Sequence, residues 1–297
     1  MKCNISVFSK SRELLISGVS YIGKPKSNTA MFITKKVEYL LPYLRDVKEC
    51  LVFAEIGMVV PNDLIKKHAF EFSQSPQLAY CRFVEKIAQK RFEIEKGIKF
   101  NLSPGGYYIS EDSLIKSDAY IEPGCVIGPD VQIGSNAKIY ANSVIRRSTI
   151  GDDFLANENA VIGSNGFTMT VDNCGNKIRI PTLGRVIIGN NVEVGSHNNI
   201  SCGSAGDTRI DDHVKLDALV HIAHDVHLHS NVEVTAGVTI GGFLEAGEGT
   251  YIGLGSVLRN RISLGEHSFV GMGSNVTKPV ASSNVVVGNP AKPFEKR

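Results

Sequence analysis

A six-residue beat limits what this chain can fold into more than any other feature. Isoleucine stands at Ile109, Ile115, Ile121, Ile127, Ile133, Ile139 and Ile145 without a slip. The beat returns at Ile188, Val194 and Ile200. It then runs from Ile210 through Leu216, Ile222, Leu228, Val234, Ile240, Ala246, Ile252, Leu258, Leu264 and Val270 to Val276. Six is neither the ~3.6-residue period of a helix nor the ~2-residue period of an ordinary strand. It is the period of a solenoid built from hexapeptides. Three hexapeptides make one triangular coil, so residues eighteen apart stack, at the ~4.8 Å spacing of paired strands.

The aliphatic residue of each hexapeptide should point into the prism. Small or β-branched residues recur four positions later, at Ala119, Cys125, Val131, Ala137 and Ser143, then at Val220, Val226, Val232 and Val238. Glycine often follows the aliphatic residue, as at Gly128, Gly134, Gly151, Gly189, Gly195, Gly253, Gly265 and Gly271. The expectation is that these glycines supply the positive φ of a sharp corner. The beat breaks twice, between Ile162 and Ile188 and between Ile200 and Ile210. The first gap should leave the solenoid as an ejected loop, 164–185. It is either a functional loop or an inert insertion at a corner.

Residues 1–105 carry no such beat and read as a small α/β domain. LLPYLRDV reads as a short helix, LVFAE and MVVP as buried strands. Residues 76–96 read as a longer amphipathic helix, with apolar Leu78, Cys81, Phe83, Val84, Ile87 and Phe92. Pro104, Gly105 and Gly106 suggest a junction. The expected architecture is therefore an α+β N-terminal domain, 1–105, followed by a parallel β-helix, 106–297.

The net charge is +2, from 32 basic and 30 acidic residues. That gives no sign of a nucleic-acid surface. No run approaches the ~18 apolar residues of a membrane span, and the N-terminus lacks the apolar core of a secretion signal. The expectation is a cytoplasmic protein. Its six cysteines, Cys3, Cys50, Cys81, Cys125, Cys174 and Cys202, are scattered and should be free thiols.

Histidines crowd one place, LVHIAHDVHLHSN, at His221, His224, His227 and His229. No two are eighteen apart, which argues against a metal site, and His227 and His229 read as solvated surface residues. His224 differs, because Gly242 falls one coil above it. A glycine there should leave an open slot over the imidazole, suited to a long thin substrate arm.

These residues carry a resemblance. Leu216-Asp217-Ala218-Leu219-Val220-His221-Ile222-Ala223-His224-Asp225-Val226 is similar to the IAH segment of the UDP-3-O-acylglucosamine N-acyltransferases of lipid A synthesis. Upstream, Ile162-Gly163-Ser164-Asn165-Gly166-Phe167 and Ile180-Pro181-Thr182-Leu183-Gly184-Arg185-Val186-Ile187-Ile188-Gly189 resemble two further motifs of that family, and Phe32-Ile33 and Leu78-Ala79 resemble its N-terminal domain. The resemblance implies a left-handed winding and a homotrimer with active-site grooves between neighbouring prisms. It implies an amine attacking an acyl thioester, with His224 as general base and Asp217 orienting or charge-stabilising it. A neutral histidine of pKa ~6.5 suits that task, and such catalysis is typically worth ~10²–10⁴ in rate. A backbone N–H would meet the oxyanion. The loop motif implies substrate contacts at Asn165 and Phe167. The N-terminal domain would stack the nucleotide base on Phe32 or Tyr39, although both also read as ordinary core aromatics. Asn198, in Ser196-His197-Asn198-Asn199, falls near the family's sugar site or else joins an inward asparagine ladder.

Two departures stand out. Arg261, within Ser256–Ile262, replaces the family's second histidine; a guanidinium suits a diphosphate. The segment Val287-Gly288-Asn289-Pro290-Ala291-Lys292 is similar to the ending of coenzyme A-dependent hexapeptide acyltransferases. It points to acyl-CoA rather than acyl carrier protein as donor, with Gly242, Gly255 and Lys292 along the donor groove and no metal. The combination resembles the sugar N-acyltransferases of surface-glycan synthesis, such as the anthrose-pathway type, which acylate a 4-amino-4,6-dideoxy sugar on a dTDP carrier. The partners expected are thus a nucleotide-linked (dTDP or UDP) amino sugar and acyl-CoA. Two alternatives stand beside this: a lipid A enzyme proper that uses acyl carrier protein, and a non-catalytic trimeric sugar-binding scaffold.

Overall fold

The computed structural model describes residues 5–9 and 12–293; Cys3 lies outside them. The chain divides into two compact units. Residues up to Gly97, Phe167–Gly184 and Ser204–Gly206 form one; Ile98–Gly166, Arg185–Gly203 and the residues from Asp207 onward form the other.

In the first unit β1 (Ile5–Ser9) and β2 (Arg12–Ile16) form an antiparallel hairpin. Then β3 (Gly18–Val19), β4 (Thr29–Ile33), β5 (Leu51–Glu55) and β6 (Ala69–Ser73) pair in that order, all parallel. A parallel sheet covered on both faces needs nearly continuous apolar strands. TAMFI and LVFAE supply them. Ala30, Leu51 and Phe53 pack with Tyr80, Cys81, Val84 and Ile87 of the helix Pro76–Gly97. Met31, Ile33, Val52 and Ala54 face the other way, onto Leu41, Leu44 and Leu64. The short helix is a 3-10 segment, Lys35–Asp46, with Pro42 inside it. MVVP is not a strand. Gly57 (φ +77) turns the chain out of β5, Val59 is 86% exposed, and Pro61 has no N–H to give a ladder.

The ejected segment has structure of its own. Met169–Val171 and Lys177–Arg179 form an antiparallel hairpin. Ile180 and Leu183 are buried in the same core as Tyr80 and Cys81. The loop therefore belongs to the first unit by packing, which a contiguous 106–297 domain did not foresee. The junction also moves. Pro104–Gly106 is a hairpin turn between β7 (Phe100–Leu102) and β8 (Tyr108–Ser110), and the units change at Gly97/Ile98.

The second unit is a left-handed parallel β-helix. Among the described residues its coils form three sheets of ten, ten and eight strands. Val126 and Ile127 pair with Val144 and Ile145, and His221 and Ile222 with Thr239 and Ile240, the eighteen-residue stacking that the beat requires. A coil the beat skipped lies at Ile150, Ala156 and Ile162, stacked on Ile133, Ile139 and Ile145. One residue is missing between Ile145 and Ile150. Arg147 (φ +47) takes the left-handed corner one position early and absorbs the deletion.

The corner residues are not the expected glycines. The positive φ falls three positions after the aliphatic residue, at Asp130, Asn136, Asn142, Asp153, Asn159 and Asn191, or at Gly237, Gly255 and Gly273. Asn and Asp tolerate this region better than other side chains. The glycines one position after the aliphatic residue serve a steric purpose. A Cβ on Gly195 would lie 2.5 Å from the carbonyl carbon of Asp217, and one on Gly253 would lie 2.6 Å from the Met272 nitrogen. Coils at strand spacing leave no room there for a side chain.

Candidate active site

His224 lies in the corner between the strands His221–Ile222 and His227–Leu228. Its backbone neighbours fix it. Ile222, Val226 and Leu228 are fully buried in the prism, so Ala223, His224 and Asp225 must make the turn, with Asp225 at φ +59. The Asp225 amide donates to the hydroxyl of buried Thr208, at 2.9 Å.

The imidazole packs tightly. A Cβ on Gly242 would lie 2.7 Å from His224 Cε1 and 2.9 Å from Nε2, and one on Gly166 would lie 2.9 Å from His224 Cβ. The space over the imidazole is therefore not an open slot for a substrate arm. The ring occupies it, and Gly242 is what admits the ring. Its side chain keeps 14% of its surface exposed. An alanine at 242 would push the ring out of place. Gly242→Ala is expected to lower turnover on the order of 10², since a displacement near 1 Å costs about that much, with the circular dichroism unchanged. Unaltered kcat would show that ring position does not matter.

The partner of His224 is Asp225, not Asp217. His224 Nδ1 lies 2.8 Å from Asp225 Oδ2, whose side chain is 3% exposed. An ionised carboxylate only accepts, so Nδ1–H donates, and in the neutral ring the lone pair is on Nε2. Asp217 accepts instead from the backbone amides of Ala218 (2.7 Å) and Ala236 (3.2 Å). Asp152 and Asp212 likewise take the Ser135 and Asn190 amides. Asp217 is thus a corner fastener between coils.

Phe243 and Arg261 complete the corner. Both stand at left-handed φ (+61 each), costly for bulky residues. The Phe243 ring meets His224 edge-on, with centroids 5.3 Å apart, and the Arg261 guanidinium sits 4.0 Å over Phe243. Asp225, Phe243 and Arg261 are each eighteen apart, so they form one column beside the imidazole. Phe243 and Asp225 were legible only once the left-handed position was known to be the third after the aliphatic residue.

The other expected site residues scatter. Asn198 is buried inside the prism, at the small-residue position four after Val194. It accepts from the Val220 amide at 2.7 Å, so it cannot meet a sugar. Asn165 accepts from Arg147 Nη2 at 2.7 Å. Gly255 (φ +62) is on a different corner column, with Gly237 and Gly273, and a Cβ there would meet nothing within 4 Å. Lys292 is exposed and pairs with Val287. In the first unit, Phe32 packs against Tyr80 at 5.3 Å and is part of the core rim. Tyr39 is exposed, and Phe167 is exposed under the Arg179 guanidinium at 4.9 Å.

Asp211, His227 and His229 form a second constellation, with ligand atoms all within 4.8 Å. The spacing argument against a metal site overlooked it. His227 and His229 flank inward Leu228 and so share the outer face. Of the described helices, none is long and apolar enough to cross a membrane.

The bacterial transferase hexapeptide family (six repeats) matches residues 112–147 and 207–242. A UDP-3-O-acylglucosamine N-acyltransferase of Coxiella burnetii (strain Dugway 5J108-111) is 43% identical over 94 residues, 31% of this chain and 28% of the relative. One from Caulobacter sp. (strain K31) is 33% identical over 154 residues, 52% of this chain and 45% of the relative. The chain thus spans less than half the length of these curated relatives. Among solved structures, LpxA from Acinetobacter baumannii superposes with a TM-score of 0.59 at 26% identity, over 65% of this chain and 74% of its own. The UDP-N-acetylglucosamine O-acyltransferase (LpxA) of Moraxella catarrhalis RH4 gives a TM-score of 0.60, also at 26% identity, over 65% of this chain and 73% of its own.

Proposed function

We propose that this chain is an N-acyltransferase that moves an acyl group from a thioester to the amine of a nucleotide-linked sugar. The observation that carries this reading is His224, with Nδ1 held by Asp225 at 2.8 Å and the ring fitted against Gly242. Nε2 is the base. As the amine attacks the thioester carbonyl, its nitrogen bonds to the carbonyl carbon and its proton passes to Nε2. The tetrahedral intermediate then collapses, the carbon–sulfur bond breaks, and the thiolate leaves and takes up that proton. Asp225 fixes the tautomer and stabilises the imidazolium while it exists. The family resemblance also supports a homotrimer, for which sedimentation equilibrium is the check.

The named relatives support a UDP-linked, 3-O-acylated glucosamine as acceptor better than a dTDP-linked 4-amino sugar. Through the lipid A resemblance they also favour acyl carrier protein over acyl-CoA. The acyl-CoA reading rests on the Gly288–Lys292 segment alone. One assay separates these readings, with acyl-CoA and acyl carrier protein each tested against UDP- and dTDP-linked amino sugars. Thiol release with carrier protein and the UDP sugar is the expected result. Activity confined to acyl-CoA and the dTDP sugar would reverse the assignment. No thioester cleavage in any combination would leave a non-catalytic scaffold. A nucleotide that binds at 100-fold over its Kd should stabilise the fold by about 2.7 kcal/mol, so a thermal-shift series with UDP, dTDP and GDP checks the acceptor independently.

A further inference from the structure

Three neighbouring strands of the eight-stranded sheet, Thr208–Ile210, His227–Leu228 and Glu245–Ala246, bring four side chains together on the outer face. Asp211 stacks eighteen residues below His229, and Glu245 eighteen above His227. The contacts run along the diagonals. His227 Nε2 is 2.8 Å from Asp211 Oδ2, and His229 Nε2 is 3.1 Å from Glu245 Oε1. The two imidazole rings lie side by side, with centroids 3.9 Å apart and planes tilted by 32°. His229 Nδ1 is 3.5 Å from the same Asp211 oxygen.

The hydrogen count gives the chemistry. If Glu245 accepts from Nε2–H of His229, the neutral ring turns its Nδ1 lone pair toward the Asp211 carboxylate. Two electron-rich atoms then face each other, and a cation between them resolves the conflict. The distances suit one. Ligand atoms about 2.0–2.1 Å from a tetrahedral zinc are ~3.3–3.4 Å apart, and the two Asp211 contacts, 2.8 and 3.5 Å, bracket that value. Arg209, the register partner of His227, turns its guanidinium to Asp207 at 3.5 Å.

We propose that Asp211, His227 and His229 form a zinc-type divalent metal site. His227 Nε2, His229 Nδ1 and an Asp211 oxygen are the ligands, and Glu245 holds the outer nitrogen of His229. Two imidazoles and one carboxylate suit zinc, and a carboxylate behind a ligating histidine is the usual way its tautomer is set. The site ties the Ile210 coil to the Leu228 coil and is separate from the His224 corner. It does not depend on the acyltransferase reading.

The test is zinc titration of chelator-treated, full-length protein by isothermal calorimetry, with melting temperature measured in parallel. One zinc per chain is expected at micromolar Kd or tighter, with a rise in melting temperature. Binding should disappear in His227→Gln and His229→Gln. Glu245→Gln should keep the stoichiometry and weaken affinity by about 10–100-fold. Cobalt(II) in the same site should give the visible absorption of a four-coordinate centre. Binding that survives both histidine variants, or no binding by a wild-type protein with native circular dichroism, would overturn the proposal.

Discussion

His224→Ala is expected to lower turnover by ~10²–10⁴ and leave the melting temperature nearly unchanged. The effect on rate is large because the proposed mechanism makes this ring the base. The effect on stability is small because the side chain belongs to a corner, not to the apolar column of Ile222, Val226 and Leu228 that fills the prism. Asp225→Asn separates the two functions of the pair. An amide at Asp225 can still accept from Nδ1–H but cannot stabilise an imidazolium, so turnover should fall while substrate KM stays near wild type. Asp217→Asn is the control. Its oxygens hold the Ala218 and Ala236 amides, so the change should act on stability and leave kcat intact. Steady-state kinetics with any productive donor and acceptor pair decides the matter. Turnover within threefold of wild type in His224→Ala would mean that the amine loses its proton to solvent or to the departing sulfur.

Gly163→Ala is expected to destabilise the second unit by about 3 kcal/mol or more. Two costs combine there. Gly163 has φ +87, and a side chain in that region costs about 1–2 kcal/mol. A Cβ would also lie 1.8 Å from the carbonyl oxygen of Arg146, so backbone must move; overpacking of this kind typically costs about 1–3 kcal/mol. The residue sits between Ile162 and Ser164, where the ladder shifts register as the chain leaves the prism, so nothing nearby can yield cheaply. Two variants split the sum. Gly255→Ala has the positive φ and open space, and should lose about 1–2 kcal/mol. Gly195→Ala has no positive φ but meets Asp217 and Ala218 backbone at 2.5–2.7 Å, and should lose the packing share alone. Denaturant unfolding of the three, compared at equal m, is the measurement. Gly163→Ala no worse than Gly255→Ala would show that the coil spreads to admit a methyl group.

Most of the solenoid was legible because its signal is redundant. Each inward aliphatic residue repeats the same statement, and the parallel ladders from Val126↔Val144 to Leu258↔Val276 follow it. The glycines after each aliphatic residue were legible as a pattern but not as a cause. Their reason is the distance to the next coil, which no local rule contains. The coil at Ile150 stands outside the counted beat, although Gly151 and Ile162 were already read as parts of the pattern, because a single deletion at Arg147 shifts the count without breaking the stack. His224 was found by resemblance and by its register under Gly242. Its partner was assigned to Asp217, seven residues upstream, on the family resemblance, whereas the carboxylate at Nδ1 belongs to the adjacent Asp225. Only the left-handed turn at Asp225 brings that carboxylate to Nδ1. Asn198 was left between a sugar contact and an inward position, and its burial inside the prism decides for the inward one.

The sequence by itself determined the period, the stacking interval and the identity of the inward face. These follow from which residues avoid water, a property carried by each residue alone. Tertiary structure decided which carboxylate serves the imidazole, that the loop packs with Tyr80 and Cys81, and that Asp211 reaches two histidines from the coil below. The last two are meetings of atoms far apart in the chain, and the first depends on the left-handed turn that Asp225 makes at a coil corner.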